Sequence, residues 1–471
     1  MNDLEPTGMV PTDMAGAAEI ARAVASGAVS ARAVTEAALA RVTALNTRLN
    51  AFTDLLPARA LAAAEAVDAA RAAGRASGPL AGVPFAVKNL FDIAGLPTRA
   101  GSLINRGRAP AARDAALVRR MEAAGAILLG GLNMGEYAYD FTGENVHDGA
   151  SRNPHDPSRM TGGSSGGSGG AVASGMVPLA LGSDTNGSIR VPAAFCGLFG
   201  LKPTYGRLSR AGSFPFVSSF DHLGPLARGT RDLALAYDAM QGPDPEDPAQ
   251  APRAPEPVLP ELEKGADGLR IAVAGGHFLR NGDPECFAAV DRVARALGAT
   301  AQIELPEAAR ARAAAFVITA SEGAALHLDR LRARPGDFDP ATRDRLIAGA
   351  AIPAAWVNRA QRFRRWYRDR VLALFEGTDI ILAPSTPCRA PALGQASILM
   401  DGATLPLRPN IGVFTQPVSF IGLPVCAVPV WVDDGLPLGV QVIAPPWRED
   451  LALRVARVLE RLGVARSRIP S

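Results

Sequence analysis

Apolar residues recur at helical spacing early in the chain. Val34, Ala38, Val42 and Leu45 lie three or four positions apart and share one helix face. With Thr12 and Ser30 as N-caps, residues 12–72 read as helices. The pattern then changes. Pro84-Phe85-Ala86-Val87 is a short unbroken apolar run, predicted as a buried strand ending at Lys88. A helix over about 115–124 and a strand over 126–129 follow. An apolar run follows at 177–181, and further strands are predicted at 270–274, 379–382, 425–430 and 439–443, with a helical stretch over about 310–375. Strands alternating with helices predict an α/β layered fold. Strand signals on both sides of the helical stretch point to one sheet interrupted by an insertion, hence a single domain spanning 1–471. Length alone would allow about three domains. Residues 242–261, rich in Pro, Asp and Glu, read as a surface excursion. No internal repeat is apparent.

Composition works mainly by exclusion. Hydrophobic residues make up 48% and charged residues 20%, with a formal net charge of +3. The densest cationic run, Arg362, Arg364 and Arg365, is interleaved with Phe363, Trp366 and Tyr367. That is the pattern of an amphipathic helix, so no nucleic-acid partner is expected. Residues 1–12 carry Asp3 and Glu5 and no apolar run, so no signal peptide is expected. No uninterrupted apolar stretch is long enough to span a membrane. Cys196, Cys286, Cys388 and Cys426 are scattered, with no C-x-x-C pair for zinc and no disulfide framework. They read as small buried hydrophobes in a reducing cytoplasm.

The most distinctive segment is Thr161-Gly162-Gly163-Ser164-Ser165-Gly166-Gly167-Ser168-Gly169-Gly170. Composition alone would make it a flexible linker. Its flanks, Met160 and Ala171-Val172-Ala173, are apolar instead, and the latter reads as a helix start. A phosphate cradle would need a Gly-Lys-Ser/Thr ending, and no lysine occurs between Lys88 and Lys202. The remaining reading is a serine site, in which glycines admit close backbone approach and backbone N–H groups converge on an oxyanion. Gly187-Ser188 offers the same arrangement again.

A serine nucleophile needs a base. None of His147, His155, His222, His277 and His327 has a setting that marks it, although sequence does not exclude them. Of 49 basic residues only Lys88, Lys202 and Lys264 are lysines. Lys88 sits between Gly-Val-Pro-Phe-Ala-Val and Asn89-Leu90-Phe91. Burial there would favour the neutral amine, a state closed to arginine.

These residues resemble the amidase signature family. The matching segments are Gly82 to Lys88, Gly162 to Ser168, Asp184 to Arg190, Pro192 to Gly197 and Gly200 to Gly206, with weaker likeness along nearly the whole chain. The resemblance implies a large mixed twisted sheet covered by helices on both faces, with a signature core over about 80–235. It implies Ser188 as nucleophile, Ser164 as a bridging serine held by a cis peptide bond, and Lys88 as general base. The backbone N–H groups of Thr185, Asn186, Gly187 and Ser188 would form the oxyanion hole, and Asp184 and Arg190 a supporting ion pair. No metal or cofactor is implied.

Two departures stand out. Asn186 occupies a position where the family usually has Gly, either to meet substrate or to tolerate a left-handed turn. Asn89 replaces a frequent Asp. With Phe141 to Gly149, they are most similar to the 1-carboxybiuret hydrolase branch. That branch implies ammonia release from a small biuret-type compound, homodimerisation and a small helical accessory subunit. The glutaminase subunit of a tRNA-dependent amidotransferase, an amidase of another substrate class and a non-catalytic scaffold are the alternatives. Arg152, Trp356, Arg359 and Gln416 are candidates for the far side of the pocket.

Overall fold

The computed structural model describes residues 16–76 and 78–470; Thr12 and the start of the first expected helix lie outside them. Helices Ala17–Ser26, Ala31–Leu49 and Pro57–Ala72 open the described chain. Ser30 caps the second, its Oγ accepting from Ala33 N at 3.0 Å, and Val34, Ala38 and Val42 form its buried face. A strand, Phe52–Leu55, interrupts the run expected to be helical throughout. At four residues, with only Phe52 buried, it is too short to display a period of two.

Among the described residues eleven strands form one mixed sheet. Their spatial order is Phe52–Leu55, Ile127–Leu132, Pro84–Lys88, Leu179–Asp184, His222–Ala227, Phe199–Lys202, Val425–Val430, Leu438–Ile443, Ile380–Pro384, Ile271–Ala274 and Ala301–Ile303. Pro84–Lys88 runs parallel to both of its neighbours, whereas His222–Ala227 and Phe199–Lys202 pair antiparallel. The apolar runs at 84–88, 425–430 and 438–443 are buried along their full length. His222–Ala227 and Phe199–Lys202 went unpredicted. Both contain Gly, and the former also Pro225, so neither carries a strand signal, and burial between neighbours overrides propensity.

The helical stretch between strands Ala301–Ile303 and Ile380–Pro384 comprises helices Ala308–Ala333, Pro340–Ala350 and Ala354–Leu374. The last is amphipathic. Arg362 and Arg365 are exposed and Tyr367 is buried. Arg364 turns inward, donating to the carbonyls of Phe420 at 2.6 Å and Ser219 at 2.8 Å. Residues 242–261 run largely along the surface. All four cysteines are buried and free, and no described helix is long and apolar enough to cross a membrane.

Candidate active site

Two parallel neighbours end at one edge of the sheet and bring the site together. The register that pairs Val87 with Leu181 sets Lys88 beside the last residues of strand Leu179–Asp184. From there Lys88 Nζ donates to Ser183 Oγ at 2.8 Å and to Ser164 Oγ at 2.6 Å. Ser164 follows a cis peptide bond from Gly163 and leads into helix Gly166–Ala173. The helix therefore starts five residues before the expected Ala171, and the glycine run is itself its first half. Gly167 explains why. A Cβ there would lie 2.5 Å from Ala51 O and Asn133 N, so only glycine lets the helix dock against the chain beyond strand Ile127–Leu132.

Lys88 is fully buried. Loss of hydration pulls its ammonium down from the usual lysine range to about 7, opposed by the negative charges of Asp221, Asp184 and Asp140. The neutral amine is therefore well populated near neutral pH.

Ser188 follows Gly187, whose φ is +143° and whose added Cβ would fall 2.3 Å from Thr415 Oγ1; a side chain is barred there. Asn186 carries no positive φ among the described residues. Tolerance of a left-handed turn is therefore not its role. Its Nδ2 donates to Thr319 Oγ1 at 3.0 Å, and its carbonyl accepts from Thr415 Oγ1 at 2.6 Å. Thr185 Oγ1 donates to Asp221 at 2.6 Å. The turn is thus pinned by side chains from three distant segments.

Beneath it, Arg190 and Asp184 form a fully buried fork, with Nε and Nη2 each 3.0 Å from the carboxylate. Burial alone would raise the Asp184 carboxyl. The guanidinium overrides it and holds the group well below its usual range. Arg190 also donates to Gln441 Oε1 at 2.6 Å and Thr415 O at 3.2 Å, so no donor faces the solvent. Asn89 is likewise structural, accepting from Gly101 N at 3.0 Å and donating to Thr53 Oγ1 at 3.1 Å.

A cavity of about 20 Å3, room for roughly one water, is lined by Ser188, Thr185 and Asn186 on one side. Ala138, Tyr139, Asp140, Phe141, Phe216, Phe316, Thr319, Arg345, Pro409 and Gln416 complete it. Of the residues expected on its far side, Gln416 is present. Arg152 is exposed, donating to Pro157 O at 2.9 Å. Trp356 and Arg359 line a separate groove between helices Ala308–Ala333 and Ala354–Leu374. Both lie on the last helix of the helical stretch, whereas its other two helices reach the site through Phe316, Thr319 and Arg345. No histidine lines the cavity; His222 is buried with Nδ1 3.0 Å from Asp184 O, and burial holds its pKa well below the usual value. Among the described residues no group of three or more His, Cys, Asp or Glu side chains is placed to hold a metal ion.

Sequence reasoning missed Ser183 and Arg345. Ser183 belongs to the motif that supplied Ser188, so the hydroxyl was in view, but only strand register aims it at Lys88. Arg345 has no distinguishing signal among 46 arginines.

The chain is similar to known proteins along most of its length. The family model described as Amidase matches residues 33–453. The AtzE subunit of 1-carboxybiuret hydrolase from Pseudomonas sp. (strain ADP) is 58% identical over 450 residues, covering 95% of this chain and 98% of that protein. The glutamyl-tRNA(Gln) amidotransferase A-type subunit of Chloroflexus aurantiacus is 38% identical, covering 93% and 95%. A solved structure superposes with a TM-score of 0.95 at 57% identity, covering 96% of this chain and all of that one. It is described as a vestigial protein complex that reveals the origins of an s-triazine catabolic enzyme.

Proposed function

Because the chain belongs to the amidase signature family, and so to the hydrolases of carbon–nitrogen bonds other than peptide bonds, we propose that it releases ammonia from a small linear ureide, 1-carboxybiuret or a close analogue. The observation that carries the reading is Lys88 Nζ, buried, with its pKa near 7 and 2.6 Å from Ser164 Oγ, beside the cavity that holds Ser188. The substrate class rests on the 58% identity to AtzE. The cavity holds only about one water, so its walls have to give way as substrate enters.

In this reading neutral Lys88 takes a proton from Ser164 as Ser164 takes one from Ser188, and Ser188 Oγ bonds to the amide carbonyl carbon. The carbonyl π pair moves onto oxygen and is held by backbone N–H groups of residues 185–188. Collapse of the intermediate breaks the C–N bond while the proton returns through Ser164 to the departing nitrogen. Ammonia leaves an acyl-enzyme, and water, deprotonated by the same relay, hydrolyses the ester.

An ammonia-release screen over biuret derivatives, ureido acids, glutamine and aryl amides tests this. Carboxylated biuret should give the highest kcat/KM, and a preference for aryl amides would overturn the assignment. The second reading, the glutaminase component of an amidotransferase, is favoured by the 38% identity to the Chloroflexus protein. It requires glutamine hydrolysis that depends on a partner enzyme and tRNA. A homodimer and a small helical accessory subunit belong to the first reading, since the similar solved structure is described as a protein complex. Co-purification from cytoplasmic extract tests both the partner and the location.

A further inference from the structure

The three helices of the helical stretch are held to the rest of the chain unequally. Helix Ala354–Leu374 is anchored by Arg364 on two carbonyls. Helix Ala308–Ala333 is anchored by Glu322, which accepts from Ser219 Oγ at 2.6 Å, and by Arg312, which donates to Gln416 and Asn410. Helix Pro340–Ala350 lies instead between two exposed connectors, residues 332–336 and 353–356. Among the described residues, two hydrogen bonds tie residues 338–350 to chain outside the helical stretch. Asp339 N donates to Glu136 Oε2 at 2.8 Å, and an Arg345 nitrogen donates to the Tyr139 carbonyl.

Both bonds end on one short segment. Its residues Ala138, Tyr139, Asp140 and Phe141 line the cavity beside Ser188. Its backbone is strained, with Tyr137 and Ala138 in succession at φ +50° and +61°. The Tyr137 ring packs 4.0 Å from that of His327 and 5.7 Å from that of Phe338, centre to centre. The segment also reaches the proposed relay through the backbone. Gly135 N donates to Ser164 O at 3.1 Å, and Phe141 O accepts from Gly163 N at 2.8 Å.

Glu136 stands at the junction. Its side chain is closed to solvent, and its Oε1 lies 3.1 Å from His147 Nε2. Burial pushes its carboxyl up to about 7, opposed by the Asp339 N–H and the Ser102 hydroxyl. A buried carboxylate stripped of a donor keeps the cost of its lost hydration, so the bond to Asp339 holds helix and segment together. Substrate reaches Ser188 only when a wall of the cavity moves. The helix with two ties and exposed connectors is the wall free to do so.

We propose that helix Pro340–Ala350 is the lid of the cavity and that Glu136 is the positioning residue that latches it, coupling closure to the backbone around Ser164. This rests on Ser188 being the nucleophile of the proposed hydrolysis. Hydrogen–deuterium exchange reads the lid directly. Labelling of Ser188 by a bulky and by a methyl fluorophosphonate reads access, and the ratio of the two rates cancels changes in nucleophilicity. Glu136→Ala should speed exchange over 340–350 about tenfold and raise the bulky-to-methyl ratio about tenfold. Glu136→Gln should hold both within about threefold of the unmodified protein, because its amide oxygen still accepts from Asp339 N. Asp339→Pro breaks the latch from the other side and keeps the test open should Glu136→Ala fail to fold. Position 339 has φ −55° and follows an extended Phe338, so proline fits there and removes the N–H. It should match Glu136→Ala, whereas Asp339→Ala, which loses the helix cap and keeps the N–H, should leave the ratio unchanged. An unaltered exchange rate or ratio in Asp339→Pro, or equal changes in Asp339→Pro and Asp339→Ala, overturns the latch. If the unmodified protein takes no label at Ser188, the proposed nucleophile fails, and exchange still decides the latch.

Discussion

Lys88 and Lys202 are both completely buried, and burial brings both down to about 7. Their partners differ. Lys88 meets two hydroxyls, Ser164 and Ser183. Lys202 donates to two carbonyls, Pro203 O at 3.1 Å and Leu423 O. A carbonyl only accepts, so a proton on Lys202 has nowhere to go. A hydroxyl accepts and donates, so Lys88 lies on a proton path. Burial supplies an amine that can be neutral; the groups it touches decide whether that amine is a base or a strut.

The contrast is broken most directly at Lys88. Lys88→Met, like Ser188→Ala, should lower kcat by about 10^4-fold or more while leaving the circular dichroism spectrum native. Ammonia release near the unmodified rate from either protein would end the proposed relay. Ser183→Ala tests whether the second hydroxyl positions the amine. A loss of about tenfold in kcat/KM is expected, the scale of one buried hydrogen bond. Lys202→Met should do the reverse, lowering stability by about 1–3 kcal/mol in urea titration with kcat within about threefold. A kcat collapse there would erase the distinction.

The smallest effect is on the pH profile. In the proposed relay the neutral amine is the active form, so kcat/KM should rise as pH rises through about 7 and level off above it. Asp221 raises the Lys88 pKa more than any other carboxylate. Asp221→Asn should therefore shift the rising limb to lower pH, and a shift the other way would show that another group controls it.

Much of this site was legible because its chemistry constrains local sequence. Lys88 stood out as a lysine in an arginine-rich chain, set in an apolar strand. Ser164 and Ser188 stood out through glycines that later proved sterically required, at Gly167 and Gly187. Other features resisted reading for physical reasons. Strand His222–Ala227 forms against its own propensity because two neighbours bury it. The helix beginning at Gly166 looked like a loop because the glycines serve packing rather than flexibility. Arg152, Trp356 and Arg359 drew attention by position along the chain, which carries no information about which helix face turns toward the sheet.

By itself the sequence determined the elements that short-range patterning controls: the apolar strands, the capped helix at Ser30, the glycine turns, and the identities of one amine and two hydroxyls. Tertiary structure decided what those groups meet. Strand register aims Ser183 at Lys88. Helices far along the chain bring Thr319 to Asn186 and the Arg345 guanidinium to the pocket. The physical reason is range: backbone preferences act over a few residues, whereas hydration, charge pairing and cavity shape depend on neighbours separated by up to hundreds of positions.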